Sequence, residues 1–143
     1  MDNDPAQHAA TTGPTGRPAD TVPRHELATV GAALRYCDSA LAGADLFFGH
    51  GTDNPWDEAA QLVLAVAGLP IDCDSEVLEQ SLTGSEQSQI MTLLQRRIQD
   101  KVPLPYLLGR AWFAGLEFLC DHRALVPRSP LAELIRNDFA PWY

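Results

Sequence analysis

The sequence predicts a mainly α protein: a helical bundle followed by a β-hairpin and one further helix. Three observations carry that prediction. Apolar residues recur at spacings of three and four in successive long stretches up to about residue 100. Helix-start signals stand at Asn54 and Thr83. Beyond Pro103 the pattern changes to short apolar runs punctuated by Pro105, Gly109 and Gly115.

The elements follow in order. Residues 1–24 hold Pro5, Pro14, Pro18 and Pro23 with Gly13 and Gly16, show no hydrophobic period, and read as a disordered tail. Leu27, Val30, Leu34, Cys37 and Leu41 share one helix face over about 24–42, with Gly43 as a stop. Leu46, Phe47 and Phe48 lead into a glycine-rich turn, Gly49-His50-Gly51. Asn54 then caps a second helix with Pro55 at its first position, where no donor is needed. Asp57 and Glu58 suit the positive end of that helix dipole. Ala59, Leu62, Val63 and Val66 face inward, and Gly68-Leu69-Pro70 ends it. An acidic connection over 71–82 contains a short helix at about 75–80. Thr83 and Glu86 form a capping box for a third helix with Ile90, Leu93, Leu94 and Ile98 on one face. Strands over 111–113 and 116–120 pair around Ala114-Gly115, with Leu116, Phe118 and Cys120 on one face. Residues 124–126 read as another short strand. Ser129 caps a last helix from Pro130, with Leu131, Leu134 and Ile135 inward.

The charge is uneven. The formal total is -9, yet residues 25–82 alone hold ten acids against Arg35, and residues 83–143 hold six acids against seven bases. An acidic segment repels phosphates, so direct nucleic-acid binding is a poor fit and a basic protein is the favoured partner. Solubility alone also accounts for such charge. The longest weakly polar run, 62–71, is too short for a membrane span of about 20 residues. The N-terminus does not read as a secretory signal. Cys37, Cys73 and Cys120 form no CxxC pair and an odd set, which fits a reducing, cytoplasmic setting and a role as small buried hydrophobes.

Candidates for chemistry are few. His50 lies in a lone GxG; a phosphate loop needs a third glycine at position 54, which is Asn54. A polar turn between helices explains His50 as well. His8, His25 and His122 are scattered and suggest no metal set. No catalytic residue is assigned. Arg128 stands before a helix start, a place that gathers anions, and a surface arginine beside a cap explains it equally.

Two stretches go further. Phe47-Phe48-Gly49-His50-Gly51-Thr52-Asp53-Asn54-Pro55-Trp56, within 46–64, resembles the N-terminal domain of the protein-glutamine methyltransferases, in the branch that modifies the third large-subunit ribosomal protein. Pro105-Tyr106-Leu107-Leu108-Gly109-Arg110-Ala111-Trp112-Phe113-Ala114-Gly115, followed by Leu125-Val126-Pro127-Arg128-Ser129-Pro130, resembles the hairpin and linker of the wider group, which also methylates peptide-chain release factors. That release-factor branch typically reads Pro-Arg-Pro-Glu where Ser129 follows Arg128 here.

The resemblance implies a helical substrate-recognition domain over 25–102, a β-hairpin linker over 103–127, and at 128–143 the first helix of a doubly wound α/β domain that uses S-adenosylmethionine. The family's glycine-rich cofactor loop and Asn-Pro-Pro-Tyr amide clamp would lie beyond Tyr143. The expectation is therefore an N-terminal part that supplies substrate recognition and is inactive alone. Phe113, Pro127 and Arg128 match positions bordering the cofactor. His50, Gly51 and Thr52 are the expected contacts with the partner, a basic ribosomal protein of the large subunit. Two alternatives stay open: a non-catalytic module that binds a ribosomal protein, and a fragment of a release-factor methyltransferase.

Overall fold

The computed structural model describes residues 24–49, 52–114, 116–126 and 131–138. A 3-10 turn, Arg24–Leu27, precedes helix α1, Val30–Ala42. The single helix expected over 24–42 is thus broken at Ala28 and Thr29. Thr29 is extended and its side chain accepts from the Ala32 N–H at 3.2 Å. The neighbouring backbone groups are used elsewhere: Val30 N–H donates to Gln80 O, and Leu82 N–H donates to Ala28 O, each at 2.9 Å. This antiparallel bridge ties the start of α1 to the segment entering α3. A cap with two long-range hydrogen bonds outweighs the helix period at that point.

Helix α2, Pro55–Ala67, begins as its sequence predicts, with the Asn54 side chain accepting from the Asp57 N–H at 2.9 Å. It ends at Gly68, whose φ of 68° places it in the left-handed region that lacks a penalty only for glycine. A second 3-10 turn, Ser75–Glu79, lies against α1. Helix α3, Gly84–Gln99, carries the full capping box between Thr83 and Glu86.

The core lies where α1, α2 and α3 meet. Val30, Cys37, Leu41, Leu62, Val63 and Ile90 are completely enclosed, and Leu46, Phe48, Met91, Leu93 and Ile98 pack around them. Burial pushes the Cys37 thiol up to about 12, so it acts as a hydrophobe. Cys120 is also buried, Cys73 is half-buried, and all three are free thiols.

A short helix α4, Leu104–Leu108, has no counterpart in the sequence reading. Pro105 occupies its first turn, where a missing N–H costs nothing, and Leu104 joins the bundle core. From α4 the chain enters an antiparallel hairpin, β1 Arg110–Phe113 and β2 Leu116–Leu119, in the register Ala111 opposite Phe118 and Phe113 opposite Leu116. Ala114 takes a φ of 51°, as the first central position of a primed hairpin turn requires. Gly115, the other expected turn residue, lies outside the described residues.

Every residue of β2 is exposed, Leu116 and Phe118 included, and Cys120 just beyond the strand is enclosed with Ala111 and Val126. Two expectations are corrected here. The 124–126 segment is not a strand. Ala124 N–H donates to Asp121 O at 3.1 Å and Ala124 O accepts the Tyr106 hydroxyl at 2.8 Å, so a turn and a side chain take the bonds a strand would need. Helix α5, Leu131–Arg136, is present, but Ile135 is exposed rather than inward. The proposed cap at Ser129 and Pro130 and the 1–23 tail lie outside the described residues.

Candidate functional site

The linker between α1 and α2 is where local sequence and long-range packing meet. Residues 45–49 belong to no helix or strand, and their side chains divide between the bundle and the surface. Leu46 and Phe48 turn toward the bundle, and Phe47 projects outward with 71% of its surface exposed. Gly49 follows with a φ of 142°, and a Cβ placed there would sit 2.9 Å from Phe47 Cε1. Only glycine combines that backbone with that close approach.

The linker is fastened from beneath by a buried ion pair. Glu58, one turn into α2, and Arg97, near the end of α3, are both almost fully buried, and the Arg97 Nε donates to Glu58 Oε1. Arg97 Nη2 reaches Glu58 Oε2 at 3.4 Å and the Phe47 carbonyl oxygen at 3.0 Å. The guanidinium also lies over the Phe48 ring, 5.9 Å from its centre, a cation–π arrangement. Just before α2, the buried Thr52 hydroxyl donates to Glu58 Oε2 at 3.4 Å. Four residues after Arg97, Lys101 Nζ donates to the Asp45 carbonyl at 2.9 Å and to its carboxylate at 3.1 Å. A concavity of about 270 Å³ opens beside these groups, lined by Asp45, Leu46, Phe47, Arg97, Lys101 and Pro103.

Of the residues the sequence singled out, Thr52 stands at the base of this linker, buried and bonded to Glu58. Phe113 lies half-buried at the turn end of β1, on a different element. His50, Gly51, Pro127 and Arg128 lie outside the described residues. Glu58 and Arg97 were missed. Glu58 reads as a first-turn acid, and Arg97 beside Arg96 reads as a base suited to the helix C-terminus. The signal that could have found them is phase. Arg97 is seven residues beyond Ile90, and Glu58 is four before Leu62, so both fall on apolar faces.

The described residues do not form a nucleotide-type cofactor site. Such a site needs a parallel strand running into a glycine-rich loop and a helix start, whereas the sheet among these residues is the antiparallel hairpin. No group of His, Cys, Asp and Glu among them could hold a metal ion. None of their helices is long and apolar enough to cross a membrane. The linker is a surface feature whose base is held by side chains of Glu58, Arg97 and Lys101.

No protein-family model matches the chain. Among curated proteins it is similar to one from Xanthomonas campestris pv. campestris named "Ribosomal protein uL3 glutamine methyltransferase", at 49% identity over 117 residues, covering 82% of this chain and 38% of that protein. It is similar to one of the same name from Francisella tularensis subsp. tularensis, at 42% identity over 118 residues with the same coverage. The chain thus matches about two fifths of the length of these relatives.

Proposed function

We propose, for a chain that is a partial-length homologue of the ribosomal protein uL3 glutamine methyltransferases, that residues 25–102 recognise uL3 for methylation of a glutamine side-chain amide. S-adenosylmethionine is the donor that such an enzyme implies, and the cytoplasm is the setting its ribosomal-protein substrate implies. Residues 1–143 contain neither a complete glycine-rich cofactor fingerprint nor an Asn-Pro-Pro-Tyr sequence. On this reading they bind the substrate and do not transfer a methyl group by themselves; α5 is the first helix of the catalytic domain, and Phe113, Pro127 and Arg128 border its cofactor.

The linker segment over 45–49, with Thr52, is the observation that carries the reading. Its base is held by groups on α2 and α3, its outward residue is a large aromatic, and it belongs to an acidic segment. Aromatic side chains on a preorganised backbone contribute disproportionately to protein recognition because little freedom is lost on binding. The chain's Glu26, Asp53, Asp57, Asp72, Asp74 and Glu76 are exposed, which suits a basic partner. uL3, as an RNA-binding ribosomal protein, is taken to be basic.

Surface plasmon resonance with purified uL3 and a peptide-chain release factor as paired analytes tests the assignment. Saturable binding of uL3 with weak or no binding of the release factor supports it. Preference for the release factor would transfer the chain to the other branch. Calorimetry of the chain with S-adenosylmethionine is expected to show no specific heat, and a micromolar site on these 143 residues would overturn the division of labour.

A further inference from the structure

Arg97 makes two kinds of bond at once. Its guanidinium neutralises Glu58 inside the bundle and, through Nη2, also holds the Phe47 carbonyl oxygen of the linker. Glu58 in turn accepts from Thr52, so Phe47 and Thr52 are tied together through one ion pair. Lys101, two residues past the end of α3, adds a third tie at Asp45. Lys101 itself has a φ of 53°, a conformation unfavourable for a residue with a Cβ. Its side chain carries the contact to Asp45 that glycine at that position would lack.

We propose that Arg97 is a positioning residue for substrate recognition: the Glu58–Arg97 pair fixes residues 45–49 in their binding-competent form, with Phe47 outward, before the partner arrives. The inference rests on the uL3 reading given above and adds the device that makes the linker an effective contact. Its physical basis is preorganisation. A segment clamped by buried charge-assisted bonds has already lost its conformational freedom, so binding does not have to order it. Arginine suits the role because its planar fork presents Nε and Nη2 to a carboxylate and to a separate carbonyl in a fixed geometry, which the freely rotating donors of a lysine ammonium do less well.

The experiment compares the full chain with two variants. Glu58→Met with Arg97→Met removes both buried charges together and keeps apolar volume, a replacement that cores often tolerate. Arg97→Lys keeps a charge for Glu58 and serves if the double variant does not fold. Each is measured by thermal unfolding, by hydrogen exchange of the amides of Phe48, Gly49 and Thr52, and by uL3 binding kinetics. The expected result is an unfolding midpoint near that of the parent and unchanged exchange in α1 and α2. Exchange at the linker amides should be about tenfold faster, and uL3 dissociation about threefold faster with little change in association. A merely structural pair would lower the midpoint and leave linker exchange tracking the helices. Unchanged linker exchange in a folded variant overturns the proposal, as does faster exchange with unchanged uL3 dissociation. If the parent chain binds no uL3, the functional reading fails on that result alone, and the exchange data still decide whether the pair clamps the linker.

Discussion

Gly49 and Gly84 make a matched pair at the residue scale. Gly49 has a positive φ and the Phe47 ring at its back, whereas a Cβ at Gly84 would meet nothing within 4 Å. Alanine at Gly49 is expected to cost about 1 kcal/mol or more. Alanine at Gly84, in the first turn of α3, is expected to stabilise by roughly 0.5–1 kcal/mol. Urea unfolding of the two variants checks the opposite signs. Glu86 gives a pH-dependent counterpart. The Thr83 backbone N–H and hydroxyl both donate to its carboxylate, at 2.7 and 2.8 Å, and hold its pKa below the ordinary 4.5. A carboxylate whose folded value is depressed contributes stability that is complete above its unfolded value and fades as pH falls through the folded one. The thermal midpoint of the parent should therefore drop more steeply than that of Glu86→Gln on acidification below about 4.5. Parallel curves would show that the capping box carries no charge-dependent stability.

The long helices were legible in the sequence at the scale of the element because their boundaries are local. Asn54-Pro55 and Thr83 with Glu86 satisfy backbone donors within one turn, and both caps form as expected. What could not be read depends on distant partners. Ala28 and Thr29 leave the helix because the backbone of 28–30 bonds to 80–82. Helix α4 hides behind two prolines that look like breakers, yet it forms because Leu104 has a place in the core. The Glu58–Arg97 pair joins residues 39 positions apart, and no local rule couples them. The hairpin strands were legible too, because short apolar runs on either side of a two-residue loop are a local signal. Two-stranded hairpins are marginal alone, and this one rests on a small cluster of Ala111, Cys120, Val126 and Tyr106. Trp112, Leu116, Phe118, Leu119 and Leu125 are exposed, Leu119 at 97%. Amide exchange is expected to be fast in β1 and β2 and slow in α1 and α2. Leu119→Ser should reduce self-association in sedimentation at high concentration without lowering the unfolding midpoint, because the side chain packs on almost nothing. Equal protection of hairpin and helices would contradict this division.

At the scale of the whole molecule, the structure refines the charge argument. Residues 25–82 hold ten acids, but Glu58 is turned inward and neutralised by Arg97, so it adds nothing to the outer field. Asp72, Asp74 and Glu76 remain exposed on the connection between α2 and α3. On the proposed function, charges of this kind would steer a basic partner at long range and be screened by salt, and the linker with Phe47 would govern how long the partner stays. The two contributions separate kinetically. Surface plasmon resonance of the chain against uL3 at low and physiological ionic strength, repeated with Asp72→Asn, Asp74→Asn and Glu76→Gln combined, tests this account most directly. It predicts association that slows with salt and slows again on neutralising the three acids, with dissociation little changed in either case. Association independent of both salt and these acids, or no binding of uL3 at all, would contradict it.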